Sequence, residues 1–289
     1  MNKLILGTVQ FGLNYGIANQ TGKVSESDSK NMLQICRTNN IRMLDTAINY
    51  GDSEKCLGAL GVKTFKIVTK LPSIPHNCIN IKKWVEGQFN ESLKRLGVKS
   101  VYGFLLHDSD QLLGPHGASL WEAMESLKES GKVKKIGVSI YSPNELDEIF
   151  HLYNFGLIQA PFNLVDRRIL KSGWMDLLNK NNIELHTRSS FLQGLLLMAK
   201  SEIPLKFSPW NLLWNKWQQW QKENDISAVE ACLRFPMSFS QIDHVIVGSD
   251  SVSQLKQIIS STSFKNVIEF PDLESDDEAL INPFNWVNL

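Results

Sequence analysis

Short apolar runs recur along the chain at residues 4–7, 41–45, 65–69, 102–106, 134–138, 157–160, 183–187 and 244–247. Between them lie longer stretches with apolar positions at helical spacing. The turns between the two patterns carry readable signals. Ser142-Pro143-Asn144-Glu145 combines a capping serine, a first-turn proline and a glutamate at the third position of a helix. Ser227-Ala228-Val229-Glu230 repeats the capping box for another helix. Gly97 and Gly131 each follow an amphipathic stretch, where a left-handed residue closes a helix.

Strand and helix therefore alternate from end to end. Parallel neighbours need a crossover connection, so alternation predicts a parallel sheet with helices outside it. Eight such units in 289 residues predict a closed (β/α)8 TIM barrel, read as a single domain over residues 1–289. An open, doubly wound sheet is the alternative, but GTVQFG at 7–12 does not carry its G-x-G-x-x-G fingerprint. The longest irregular zone, residues 193–209, follows the seventh strand, and a loop of that length in a compact barrel is expected to be functional.

Composition narrows the partners. Thirty basic residues offset thirty acidic ones, so no net field favours nucleic acid or an anionic membrane. The opening stretch MNKLILGTVQFG is too short in apolar residues for a secretory leader, and a cytoplasmic protein is expected. Cys36, Cys56, Cys78 and Cys232 form no metal-type spacing and read as reduced thiols. No metal site is expected.

Barrel chemistry sits where strands end. Asp45 closes the second strand directly after Met43 and Leu44, a costly place for an acid unless a cation pairs with it. Lys70 follows the third strand and His107 the fourth, and Tyr50 lies on the loop after the second. Adjacent strand ends put Asp45, Lys70 and His107 on one side of the mouth, so Lys70 is the expected partner.

These positions fall within a wider set of motifs: GTVQFG (7–12), LDTAINYG (44–51), IVTK (67–70), FLLH (104–107), IGVS (136–139), IQAPFN (158–163), FLQGLL (191–196) and VIVGS (245–249). With them the chain resembles an aldo-keto reductase over nearly its full length. The resemblance implies that Asp45, Tyr50, Lys70 and His107 form a catalytic tetrad for reduction of a small-molecule aldehyde or ketone. Tyr50 would give a proton to the carbonyl oxygen, Lys70 would lower the phenol's pKa, Asp45 would hold Lys70, and His107 would orient the carbonyl.

The same resemblance implies NADP(H) as cofactor, with NAD(H) as the alternative. It assigns Gly7 and Thr8 to the cofactor side, Ser139 and Gln159 to the nicotinamide carboxamide, and Ser190, Leu192 and Gly194 to the pyrophosphate. Gly248, Ser249 and Gln254 fall at the adenosine phosphate, where Gly248 and Ser249 are expected to open the final helix. The chain departs from the pattern this resemblance implies in three places: Ile140 follows the serine of GVS, Arg188 stands where an aromatic residue often stacks under the nicotinamide, and Gly248 and Gln254 stand where basic residues are common.

Trp210, Trp214, Trp217 and Trp220 form a helical stripe, expected as core or subunit contact in preference to a substrate lid. Asp166-Arg167-Arg168 reads as a helix start with Asp166 as cap, not as an anion site. The short sequence after the last helix implies an open pocket that admits a bulky or phosphorylated sugar. Two rival readings stay open: a barrel lyase or aldolase using Lys70 as Schiff-base nucleophile, and a non-catalytic cofactor-binding module. Oligomeric state is left open.

Overall fold

A computed structural model of the chain describes residues 3–263 and 268–289. Eight parallel strands close into a barrel in sequence order: β1 (Leu4–Gly7), β2 (Met43–Asp45), β3 (Lys66–Leu71), β4 (Val101–Leu106), β5 (Val133–Ser139), β6 (Leu157–Pro161), β7 (Glu184–Arg188) and β8 (His244–Val247). The barrel helices are α1 (Glu26–Thr38), α2 (Ser53–Leu60), α3 (Ile81–Leu96), α4 (Gly117–Glu129), α5 (Asn144–Ile149), α6 (Arg168–Lys171), α7 (Trp174–Lys180), α8 (Asn211–Glu223), α9 (Ala228–Met237), α10 (Val252–Ser260) and α11 (Glu278–Ile281).

Six strands differ from the sequence expectation by one or two residues at an end, and two of the shifted boundaries bear on the site. The Ile41 N–H turns back to Cys36 O at 3.0 Å, so β2 starts at Met43. β3 continues through Leu71, whose carbonyl accepts from His107 N at 3.0 Å, so Lys70 lies inside the strand and not on the loop after it.

Register explains how the site is assembled. Ile5, Met43, Val68, Leu105, Leu157 and Ile246 form a separate apolar cluster inside the barrel. Strand side chains alternate between faces, so the residues two further on face the same lumen: Gly7, Asp45, Lys70, His107, Gln159 and Gly248. Ser139 pairs with Gln159, and Arg188 pairs with Pro161 two residues beyond it, which brings both onto the same face. The opposite faces bury Leu44, Ile67, Phe104, Ile158 and Leu185 against the helices; Phe104 meets Phe89 of α3 edge-on at 4.8 Å.

Capping follows the sequence signals with one shift. Ser227 Oγ accepts from Glu230 N at 3.2 Å, while Glu145 reaches back to Ser142 N at 2.7 Å and α5 starts one residue after Pro143. Gly97 and Gly131 adopt φ of 65° and 75° at the expected helix ends. The zone after β7 is wound into short 3-10 turns instead of being irregular. Trp214 and Trp217 hold it from behind, donating to Phe207 O and Leu196 O at 3.0 Å each, and both rings are buried. Trp210 and Trp220 reach Asp277 and Glu269 O. The stripe is core that ties α8 to this loop and to the C-terminal segment. No helix among the described residues is long and apolar enough to cross a membrane.

Candidate active site

The centre of the lumen mouth is a buried ion pair. Lys70 Nζ donates to Asp45 Oδ2 at 2.7 Å and to Thr46 O at 3.0 Å, and both side chains are almost wholly buried. The other oxygen, Asp45 Oδ1, accepts from Gln159 Nε2 at 2.8 Å, and Ser139 Oγ reaches Gln159 Oε1 at 3.4 Å. A buried carboxylate is stable only with such donors, and here each oxygen has one. Burial pulls the Lys70 ammonium below the ordinary lysine range, with Asp45 working against it.

Tyr50 stands over this pair, its ring centroid 5.0 Å from Lys70 Nζ, and meets the His107 ring edge-on at 5.7 Å. The structure thus brings Asp45, Tyr50, Lys70 and His107 together. It corrects the expected titration of Tyr50. The residue as a whole is half-buried, and burial around the phenol raises its pKa well above the ordinary value. Asp45 raises it further, while Arg188 works in the opposite direction. Lys70 does not dominate because Asp45 neutralises it at contact distance. Burial, then the Lys70 and Arg188 charges, lower His107 to about 3, so its imidazole is neutral.

The residues expected on the cofactor side divide into two groups. Some are turned into the fold. Thr8 Oγ1 donates to Asp45 O at 2.9 Å, Ser249 Oγ donates to Ser251 O at 2.8 Å, and Leu192 is buried and offers only backbone. The others leave open ground. Ser190 Oγ is buried with no hydrogen-bond partner among the described residues, and so is Gln10 Oε1 beside Gly248. Ser189, Leu192, Gln193 and Gly194 all carry positive φ, a strained run that turns the backbone sharply after β7. A Cβ on Gly194 would meet Ala18 Cβ at 2.4 Å, and one on Gly248 would meet Gln10 Nε2 at 2.6 Å. Gly7 is likewise crowded by Ile246 Cγ2 at 3.1 Å. The orphaned Ser190 hydroxyl can donate to a phosphate oxygen and fits a phosphate-bearing cofactor at the end of β7, whereas Gln10 Oε1 is an acceptor and the glycines are required by the packing of Ala18 and Gln10.

The expected helix start is corrected. α10 begins at Val252 with Ser251 as its cap, Ser251 Oγ taking the Gln254 N–H at 3.2 Å, so Gly248 and Ser249 lie in the loop before it. Gln254 Oε1 accepts from Asp250 N at 2.8 Å, which turns the side chain onto its own loop. The expectation of an open pocket is corrected on one side: Ile281, Asn282 and Pro283 line a cleft with Tyr141 and Arg188, and Phe284 packs edge-on against Tyr141 at 5.1 Å. Asp166 does precede a helix, but as a buried partner of the Arg168 guanidinium at 2.9 Å. Gln10 and Tyr141 escaped the sequence reading, since neither stands at a strand end. Among the described residues no group of His, Cys, Asp and Glu is arranged to hold a metal ion.

The sequence profile of the Aldo/keto reductase family matches residues 3–272. The chain belongs to the aldo/keto reductase family. It is 26% identical to oxidoreductase sirO of Leptosphaeria maculans, over 88% of this chain and 86% of that protein. It is 25% identical to aflatoxin B1 aldehyde reductase member 2 of Rattus norvegicus, over 89% of this chain and 79% of that protein. The fold superposes on the holo form of aldo-keto reductase AKR11C1 from Bacillus halodurans with a TM-score of 0.73, at 20% identity over 92% of this chain and 88% of that one. That likeness shows the barrel. Family membership makes the protein an oxidoreductase that acts on carbonyl compounds with a nicotinamide cofactor.

Proposed function

We propose that Tyr50 is the proton donor in reduction of an aldehyde or ketone to an alcohol, with Lys70, Asp45 and His107 as its working partners. The carrying observation is the stack at the lumen mouth: the Asp45–Lys70 pair at 2.7 Å, with the Tyr50 ring 5.0 Å from the ammonium and His107 against its edge. A reduced nicotinamide, when bound, supplies the hydride. The unpartnered Ser190 hydroxyl would hold its phosphate side, and Ser139 with the free lone pairs of Gln159 its carboxamide.

The chain's own residues then manage the proton. A phenol whose pKa is raised by burial stays protonated at every physiological pH, which suits a donor that acts only as negative charge develops on the carbonyl oxygen. As the phenolate forms, the Lys70 ammonium beneath it becomes its counter-charge, and Asp45 keeps that ammonium in place. Neutral His107 can donate a hydrogen bond to the same carbonyl oxygen without competing as an acid. The Lys70 amine is held by Asp45 and Thr46 O, an arrangement that disfavours a Schiff-base nucleophile. The test is a spectrophotometric screen of NADPH and NADH oxidation against neutral, acidic, phosphorylated and sugar-type carbonyls. Turnover lost in Tyr50→Phe supports the reading; turnover independent of Tyr50, or a borohydride-trapped adduct on Lys70, overturns it.

A further inference from the structure

Arg188 is the last residue of β7 and shares the lumen face with Gln159 and Lys70. Its guanidinium donates to Ile140 O at 2.8 Å and Ser189 Oγ at 3.2 Å and lies over the Tyr141 ring at 4.6 Å. None of these is an anion, and donors of the fork remain unused. The charged groups around it are otherwise engaged. Lys70 is paired with Asp45, and Glu145 is tied to the Tyr141 and Ser142 N–H groups and to Ser109. Arg168, across the same cleft, is satisfied by Asp166, Glu278 and Tyr141 O. No carboxylate among the described residues pairs with this half-buried guanidinium, and at the mouth of the reaction site it is a ready receptor for an oxyanion. Its charge also bears on the titration of Tyr50, Lys70 and His107, so an anion held there sits at the reacting end of the barrel.

We propose that Arg188 anchors an anionic group of the substrate, so that the carbonyl compound reduced carries a carboxylate or a phosphate, held beside Tyr141 and Ser189 at the lumen mouth. The inference rests on the carbonyl-reductase reading and names its substrate class. A planar fork at this position binds a carboxylate or phosphate through paired N–H groups, which an amide or ammonium side chain does not reproduce. Charge-assisted hydrogen bonds of this kind discriminate by roughly tenfold to a hundredfold each.

Two matched substrate pairs test it, succinic semialdehyde against butyraldehyde for a carboxylate and glyceraldehyde 3-phosphate against glyceraldehyde for a phosphate. The wild-type enzyme is expected to favour the charged member of one pair by about tenfold or more in kcat/KM, and that pair identifies the anion. Arg188→Gln should lower the preference by roughly tenfold to a hundredfold, with Arg188→Lys in between. Ratios near one for both pairs in the wild type overturn the proposal. So does an Arg188→Gln variant that keeps the preference but weakens NADPH binding more than about tenfold by fluorescence quenching, because Arg188 then serves the cofactor. If no carbonyl is turned over, calorimetry of succinate and inorganic phosphate separates the two readings. Binding that depends on Arg188 keeps the anion site while the reductase reading fails, and no such binding removes the anion site as well.

Discussion

Gln159 donates its side-chain amide to Asp45 Oδ1 at 2.8 Å, from the strand across the barrel lumen. With Lys70 on Oδ2, the carboxylate has a donor on each oxygen, and its position is fixed from two sides. This cross-brace explains how an acid can end a buried strand: its desolvation is offset by one charged and one neutral hydrogen bond. Lys70→Met removes the charged one and should cost on the order of 3–5 kcal/mol. Asp45→Asn combined with Lys70→Met should recover part of that loss, since an asparagine oxygen can still accept from Gln159. Urea unfolding of the two single variants and the double variant measures the coupling. Losses that simply add mean that the pair has no energetic reality.

Tyr50→Phe removes one hydroxyl from a ring that otherwise keeps its contact with His107 and its place over Lys70. Turnover under conditions where chemistry limits the rate should fall ~10²–10⁴-fold, the usual scale of general acid catalysis. Thermal unfolding and cofactor affinity should change little. Retention of more than about a tenth of the wild-type rate would make the hydroxyl dispensable to the reaction.

Stability should decline in acid below the ordinary histidine range. Burial lowers His107 to about 3 and His244 to about 4, so both bind protons more readily in the unfolded chain, where the reference value is 6.5. The unfolded state therefore holds more protons as pH falls below about 6.5, and unfolding free energy drops with it, by up to ~1.4 kcal/mol per pH unit for each group. Below about pH 4.5 the loss steepens. Glu184, which burial alone would raise, is brought down to about 2 by His186, Tyr102 and Lys135, and its native pairing is then lost on protonation. Urea midpoints at pH 7, 5.5 and 4 follow the slope, and His244→Phe should reduce it between pH 6 and 4. A flat profile over that interval would mean that the folded protein admits both charged imidazoles.

The barrel was legible because each strand is a short apolar run bounded by polar turns, and the strand-end rule brought Asp45, Lys70 and His107 to one rim. Two kinds of feature escaped it. The first depends on where a ladder stops. Leu71 accepts from His107 N, which keeps Lys70 inside β3 and lets its ammonium reach Asp45 from below the loops. Sequence pattern fixes a strand's existence better than its last residue. The second depends on the orientation of individual polar side chains. Ser249 and Thr8 had the residue types of ligand contacts, yet their hydroxyls close on nearby backbone carbonyls, whereas Ser190, of the same type, is left open. Only the three-dimensional arrangement of acceptors separates those cases. The same holds for Arg188, whose guanidinium meets a backbone carbonyl, a hydroxyl and a ring but no carboxylate among the described residues.

Cofactor choice turns on the loop between β8 and α10. A 2′-phosphate is normally met by charged donors, with Arg favoured for its fork. Here Gln254 is neutral, and its side-chain oxygen is occupied by Asp250 N at 2.8 Å. The Asp250 carboxyl, half-buried beside Gly248 and Gln10, would repel a phosphate when ionised, although burial raises its pKa. Lys256 is exposed on α10 and is the nearest basic residue along the sequence. NADPH should therefore bind with only a weak advantage over NADH, within about tenfold, because no charge-assisted hydrogen bond worth roughly 1.5–3 kcal/mol is built into this loop. Fluorescence titration of both cofactors measures the ratio. Gln254→Arg should raise it by roughly tenfold to a hundredfold without altering NADH affinity, since only the 2′-phosphate gains a partner. A wild-type preference for NADPH well beyond a hundredfold would mean that Lys256 or Arg188 already reaches the phosphate, and for Arg188 it would remove the residue from the substrate side of the site.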